Sequence, residues 1–329
     1  MTNDIFNIRL HQARLLSGLS MERLAAMTNG TVTKQSISKY EAGLMRPKPR
    51  TLKVLAEALN ISESYFTGAG IQIDVPTLRV TSNRLTDIDI ENLDAILSFW
   101  TEQYISKEKA MNMSTHFTNP ISDFHVTDFN DAIKAAELLR DRWKCGDGPL
   151  PYVIRLLERK GVKIKALDLP DNVWGISAWA NQTQPLILLD IRPGKTSVER
   201  LRFTVCHELG HLVLNIDSNN NTEKLCDKFA SFFLLPKQTF IEEIGNERRD
   251  KLLLSEMIDI KEIYGVSVAA QVHEAYDIGM ISEDHYNWWY DEMIKNNIQE
   301  KGWGNYSYHE TPGREMRLDT MLKELSNYE

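Results

Sequence analysis

The stretch His207-Glu208-Leu209-Gly210-His211 has the form H-E-x-x-H. In a helix, residues i and i+4 project from the same face, so the two imidazoles lie close enough to bind one metal ion. Glu208 lies between them and can act as a base on a water molecule at that metal. This combination is typical of hydrolytic zinc sites.

The flanking sequence predicts that this stretch is helical. Pro193-Gly194 interrupts the preceding segment, and Thr196 with Glu199 has the spacing of a capping box. Apolar residues then recur at steps of three and four, which indicates one buried face: Val198, Leu201, Val205, Leu209 and Leu212. The two histidines lie outside this apolar face.

A second helical segment supplies two acidic residues, Glu223 and Asp227, in the pattern E-x-x-x-D. Catalytic zinc commonly takes three protein ligands, and Glu223 is the predicted third. Asp227 is placed to accept the other ring N–H of a ligating histidine. The alternative is a helix with two incidental surface histidines and a solvated acidic pair.

The composition is that of a globular protein with two or more domains. The chain has 329 residues, of which 42% are hydrophobic and 26% charged. No apolar run approaches membrane-spanning length, and the first residues do not resemble a signal peptide, so we expect a cytoplasmic protein without a membrane partner. The three cysteines, at positions 145, 206 and 226, lack metal-ligand spacing and suit a reducing compartment.

The charge is distributed unevenly along the chain. Residues 1–70 contain nine Lys/Arg and five Asp/Glu, a net charge of +4, whereas the whole chain carries −8. Residues 71–329 therefore carry −12. This asymmetry indicates that the N-terminal part alone contacts nucleic acid.

The N-terminal part is predicted to form short helices arranged as a helix-turn-helix. Ser20 and Thr33 are candidate N-caps, and Gly18 and Gly43 are candidate helix ends. The predicted helices are 5–16, 21–27, 34–42, 51–59 and 62–66.

This part resembles the XRE family of lambda-repressor-like domains. The resemblance is carried by Leu10-x-x-x-Arg14, Gly18-Leu19-Ser20, Ser36-Ile37-Ser38-Lys39-Tyr40-Glu41-x-Gly43, Arg46-x-Pro, and Leu52-x-x-Leu55-Ala56-x-Ala58-Leu59-x-Ile61. It implies an all-α domain that binds a double-stranded DNA operator, with Lys34, Gln35, Ser36 and Lys39 on the exposed face of the recognition helix and Arg46 and Arg14 facing phosphates. The turn before that helix and Met21 depart from the family pattern. The alternative is a helical protein-interaction domain.

The rest of the chain is predicted to form an α+β domain. Residues 71–83 are expected to be extended, 88–108 helical, 112–127 irregular and 129–143 helical. Strands are expected at 162–166, 176–179 and 186–190, beside the metal-binding helix. Residues 176–181 are the candidate edge strand that would align an extended substrate.

This region resembles the ImmA/IrrE family of zinc metallo-endopeptidases. The resemblance is carried by Ala135-x-x-Leu138-Leu139-Arg140, Gly146-Asp147-Gly148-Pro149, Leu156-Leu157-Glu158-x-x-Gly161-Val162, Arg202-Phe203-Thr204-x-x-His207-Glu208-Leu209-Gly210-His211, and Glu223-x-x-x-Asp227-x-Phe229-Ala230. It implies a zincin-like fold with a helical C-terminal extension, Zn²⁺ bound by His207, His211 and Glu223, and Glu208 as the catalytic base. The family cleaves repressor proteins.

The C-terminal extension itself is predicted to be structural. Residues 265–290 have a helix-turn-helix rhythm but contain no Lys or Arg, and a DNA backbone would be repelled. Trp288-Trp289-Tyr290 is expected to belong to a core.

The sequence therefore predicts four segments: an XRE domain at 1–70, a linker and helical connector at 71–127, a zinc peptidase core at 128–245 and a helical extension at 246–329. The predicted function is a homodimeric DNA-binding transcriptional regulator whose zinc endopeptidase domain cleaves a repressor-type protein or the chain itself. The alternative is a regulator whose metallopeptidase-like domain is a non-catalytic sensor.

Overall fold

The computed structural model describes residues 5–61, 63–66, 73–74, 87–171, 173–192, 194, 196–217 and 221–327. These residues form two compact units. The first comprises residues 1–114, 179–183 and 318–329, and the second comprises 115–178 and 184–317. None of the helices in the described ranges has the length and apolar character needed to cross a lipid bilayer.

The first unit begins with four helices and a 3₁₀ turn. They are α1 (Phe6–Leu16), α2 (Met21–Met27), α3 (Lys34–Glu41), α4 (Pro49–Leu59) and the turn Glu63–Phe66. Ser20 and Thr33 cap α2 and α3 as expected, because their side chains accept hydrogen bonds from the backbone N–H of Arg23 and Ser36. The helices enclose a core that includes Phe6, Leu10, Leu24, Ile37, Leu55 and Phe66.

A long helix, α5 (Asp87–Ala110), packs against α1 in the same unit. Arg9 bonds to the carbonyl of Tyr65 and forms an ion pair with Glu102 on α5. The rings of Tyr65 and Phe99 meet edge to face, with centroids 5.6 Å apart. The compact unit therefore continues past residue 70, and the domain boundaries set from the sequence stay predictions.

The second unit is a mixed α/β domain. Its elements, in chain order, are β2 (His125–Val126), α6 (Phe129–Trp143), α7 (Val153–Arg159), β3 (Lys163–Ala166), β4 (Gly175–Ala180), β5 (Gln184–Leu189), α8 (Val198–Val213), β6 (Asn215–Ile216), α9 (Thr222–Leu234) and α10 (Lys237–Ile244). β3 pairs in parallel with β5, and β2 with β6. Leu186 to Leu189 are buried throughout, since helix α8 packs on β5.

Strand β1 (Ile73–Asp74) belongs to the first unit, as do the last two residues of β4, Trp179 and Ala180. Ile73 pairs antiparallel with Ala180, and Asp74 with Trp179. Residues 73–74 therefore pair with the last two residues of β4, which is the strand predicted to align an extended substrate. The remaining residues of the predicted extended segment 71–83 lie outside the described residues.

The C-terminal region consists of α11 (Leu254–Tyr264), α12 (Val268–Asp277), α13 (Glu283–Trp288), a π-helical turn (Trp289–Ile294), a 3₁₀ turn (Lys295–Asn297) and α14 (Arg314–Ser326). Trp289 is buried, but Trp288 and Tyr290 are exposed. The expectation that all three aromatic residues belong to the core was therefore wrong for two of them. Consecutive residues of a helix project in different directions, so these three neighbouring side chains cannot all face one core.

The segment before α14 is held to helix α8 by a buried ion pair between Arg202 of α8 and Glu310. Glu310 also accepts the backbone N–H groups of Val153 and Ile154, at 2.9 and 3.1 Å. The C-terminal region is therefore part of the structural support of α8.

Candidate metal centre

Helix α8 begins at Val198, with Ser197 as its N-cap. The Ser197 side chain accepts the backbone N–H of Arg200 at 3.2 Å. The expectation that Thr196 caps the helix in a box with Glu199 was wrong. The Glu199 carboxylate accepts the backbone N–H of Tyr306 instead, which is a tertiary contact and not a cap of the helix.

Helices α8 and α9 bring the predicted ligands together. The Nε2 atoms of His207 and His211 lie 3.1 Å apart, and each lies 3.4 Å from an oxygen of Glu223. Zinc bonds of about 2.0–2.1 Å place two tetrahedral ligand atoms about 3.3 Å apart. The two distances to Glu223 go to its two different oxygens, Oε2 and Oε1. With one ligand atom from each residue, all three atoms lie within 4.8 Å of one another, and the separation of the two histidine nitrogens is close to a tetrahedral edge, so these residues fit a zinc ion.

Asp227 lies one helical turn after Glu223 on α9. Its Oδ1 is 2.8 Å from Nδ1 of His207. This contact favours a proton on Nδ1 and leaves Nε2 of His207 to face Glu223 and His211. Asp227, which was predicted to orient a ligating histidine, therefore contacts His207.

Glu208 is buried, on the same turn of α8 as the two histidines. Its Oε2 accepts a hydrogen bond of 2.7 Å from the hydroxyl of Ser177, which lies on β4. Two positions earlier, Gly175 leaves room for the glutamate, because a Cβ there would lie 3.0 Å from Glu208 Cγ. Strand β4 therefore forms one wall around the candidate base.

The candidate DNA-reading helix is α3. Lys34, Gln35 and Lys39 are exposed, whereas Ser36 is half-buried and its hydroxyl lies 3.0 Å from that of Thr33. Lys34 forms an exposed ion pair with Glu22. The side chains of Gln35 and Lys39 are exposed, and their contact with bases stays a prediction.

The two arginines predicted to face phosphates differ in environment. Arg46 is exposed. Arg14 is buried and bonds to both carboxylate oxygens of Glu41, at 2.6 and 2.8 Å, and to the carbonyl of Leu19 at 3.0 Å. The guanidinium of Arg14 therefore joins α1 to α3, and its contact with phosphate stays a prediction.

Comparison with known families separates the same two parts. Residues 10–66 match the helix-turn-helix family, and residues 157–276 match the IrrE N-terminal-like domain. The chain joins a helix-turn-helix domain of XRE type to an IrrE N-terminal-like domain. No curated protein matches the chain. The two predicted resemblances and the predicted fold class are confirmed.

The IrrE N-terminal-like domain contains all three candidate ligands. The pKa values of its two histidines are shifted in opposite directions. Burial lowers the pKa of His207, but hydrogen bonds to Asp227 and Glu223 outweigh this effect and raise the pKa to about 10. The metal-free ring therefore holds a proton at neutral pH, which a metal ion has to displace. Burial lowers the pKa of His211, which favours the neutral ring that a metal requires.

Sequence reasoning missed Ser177. The contact joins residues 31 positions apart, and no motif links a serine on a strand to the glutamate of H-E-x-x-H. The available signal was the alternation of small residues in β4, because Gly175 and Ser177 lie on the same face of that strand.

Proposed function

We propose that this chain is a DNA-binding transcriptional regulator whose IrrE N-terminal-like domain is a zinc-dependent endopeptidase. The observation that supports the proposal most strongly is the spacing of the three ligand atoms of His207, His211 and Glu223. A buried glutamate on the same helical turn is the second support, because a purely structural zinc site does not require a base.

In the proposed reaction, His207, His211 and Glu223 hold Zn²⁺. The bound ion supplies a Lewis acid that polarises the scissile carbonyl and activates water. Glu208 removes a proton from the attacking water and transfers it to the leaving amine. Asp227 keeps the ring of His207 oriented throughout.

The proposed substrate is a repressor-type protein or the chain itself. Self-cleavage would fall in the linker, around residues 71–83 or 112–127. Ile73 and Asp74 lie in the first of these segments and pair with the end of β4 as an added strand does. This pairing supports the chain's own linker as a candidate substrate.

The peptidase is tested with the full chain loaded with zinc, incubated alone, with DNA, and with candidate repressors. Mass spectrometry should detect specific cleavage and about one zinc per chain. His207→Ala and His211→Ala should lose the metal. Glu208→Gln should retain it and lose cleavage, because the ligands stay while the base is removed.

A wild-type protein without zinc after metal-free preparation and zinc reconstitution would exclude the proposed centre. Bound zinc without cleavage of any protein, under any of these conditions, would favour a non-catalytic sensor domain.

The helix-turn-helix domain is proposed to bind an inverted-repeat operator as a homodimer, because one recognition helix reads few base pairs. Gln35→Ala should relax the sequence preference, and Arg46→Ala should weaken binding evenly across sequences. Fluorescence anisotropy on operator and scrambled duplexes measures both effects. If deletion of residues 1–70 leaves operator binding unchanged, the assignment is wrong.

The two domains are proposed to regulate one another, so that cleavage is slow until DNA, a ligand or a partner binds. Such a signal has to bind the resting and active forms with different affinities. Equal cleavage rates with and without operator DNA would exclude DNA as the signal.

A further inference from the structure

Ser177 is a buried hydroxyl group that faces the candidate base from a neighbouring element. Its side chain donates to Oε2 of Glu208 at 2.7 Å, and both residues are almost inaccessible to solvent. A hydrogen bond to a buried carboxylate is worth more than one between neutral groups, because the charged form has lost most of its water.

Strand β4 fixes the position of this hydroxyl. β4 lies beside β5 in the sheet, and the N–H of Asp190 bonds to the carbonyl of Trp174 at 2.9 Å immediately before β4. Gly175 and Ser177 lie on the same face of the strand, so one leaves space for Glu208 and the other bonds to it.

The terminal torsion of a glutamate has a broad energy profile, and without a partner the carboxylate can rotate. A donor on Oε2 restricts that rotation and leaves Oε1 to accept a proton. Productive geometry for proton transfer has to be held within fractions of an ångström, which supporting hydrogen bonds provide.

We infer that Ser177 is a positioning residue of the proposed peptidase, which holds the carboxylate of Glu208 in the orientation needed for proton transfer. The inference rests on the proposed function, since it assigns a role in the same reaction. It concerns the base alone and leaves the ligand set unchanged.

The kinetic test uses the full zinc-loaded chain and a mixture of internally quenched peptides. Ser177→Ala should lower kcat by about 10- to 100-fold, a part of the 10²- to 10⁴-fold that a positioned base contributes. KM and zinc content should remain within about twofold of the wild-type values, because this hydrogen bond is expected to stabilise the transition state and not the bound substrate. Ser177→Thr keeps the hydroxyl and should restore most of the rate.

The matched control is Ser231→Ala. Ser231 is also a buried serine of the second unit, and its hydroxyl bonds to the carboxylate of Glu274. A loss of kcat in Ser177→Ala that Ser231→Ala does not share is the expected result. Equal kcat in the Ser177→Ala variant and the wild type would overturn the inference.

A second readout needs no activity. Thermal unfolding of Ser177→Ala, Glu208→Leu and the double variant, each free of metal, forms a double-mutant cycle, because leucine offers the Ser177 hydroxyl no acceptor. We expect the double variant to lose less in Tm than the two single losses added together. Additive losses would overturn the inference. If no protein, the wild type included, cleaves any peptide while the losses of Tm are non-additive, the proposed peptidase is contradicted and the contact between Ser177 and Glu208 is established.

Discussion

Replacement of Arg202 by methionine should destabilise the second unit strongly. Arg202 is completely buried on α8, five residues before His207. Besides its ion pair with Glu310, it donates to the carbonyls of Leu150 and Tyr264, at 2.8 and 3.0 Å. Its guanidinium also lies 4.4 Å from the centroid of the Tyr306 ring. Methionine fills a similar volume and supplies none of these donors.

Removing one partner of a buried ion pair costs about 3–5 kcal/mol, because the other charge stays buried without compensation. Glu310 keeps the two backbone N–H donors at the start of α7, so we expect the lower end of that range. For a unit of this size, 1 kcal/mol corresponds to about 2–4 °C in Tm. The expected decrease in Tm is therefore about 6–12 °C.

The matched control is Lys165→Met, since Lys165 pairs with Glu315 at 3.6 Å in the same unit and both side chains are half-buried and reach solvent. A pair that water can screen contributes about 0–1 kcal/mol, so its Tm should fall by less than about 4 °C. Both variants are compared with the wild type by calorimetry of the full chain. A decrease for Arg202→Met no larger than that for Lys165→Met would refute the reasoning.

The pH dependence offers a further check on this pair. Burial raises the pKa of Glu310, although Arg202 and the backbone N–H groups oppose the effect. Without Arg202 the carboxyl takes up a proton more readily, which removes the uncompensated charge. The difference in Tm between Arg202→Met and the wild type should therefore become smaller as the pH falls from 8 to 5.

Two further changes test one contact in each of the two units. Burial raises the pKa of Glu41, but hydrogen bonds, those from Arg14 foremost, outweigh this and hold the pKa below its usual value. Its contribution is therefore present above about pH 4.5 and lost as the pH falls through the lower folded pKa. Glu41→Gln should cost about 1.5–3 kcal/mol at pH 7, and this cost should decrease as the pH falls below 4.5, as measured by urea unfolding. Gly175→Ala should cost about 1–3 kcal/mol, because its Cβ would lie 2.5 Å from the methyl group of Thr204. Gly148→Ala, whose Cβ would meet no atom within 4 Å, is the control, and equal urea midpoints would contradict the steric argument.

The sequence by itself determined the local features of this protein. Ser20 and Thr33 mark helix starts because an N-cap contact spans three residues and needs no tertiary partner. The pairs His207/His211 and Glu223/Asp227 could be predicted to share faces because helical geometry places i and i+4 together. These two local pairs were sufficient to predict the three candidate metal ligands and Asp227.

Only the tertiary structure decided which partner each polar side chain takes across elements. Arg14 has the sequence position of a phosphate contact, but packing of α1 on α3 gives it to Glu41, 27 residues away. Ser177 meets Glu208 across 31 residues, and Arg202 meets Glu310 across 108. A buried charge or hydroxyl must find a partner wherever packing supplies one, and the periodicity of a single helix or strand contains no information about the element that will cover it.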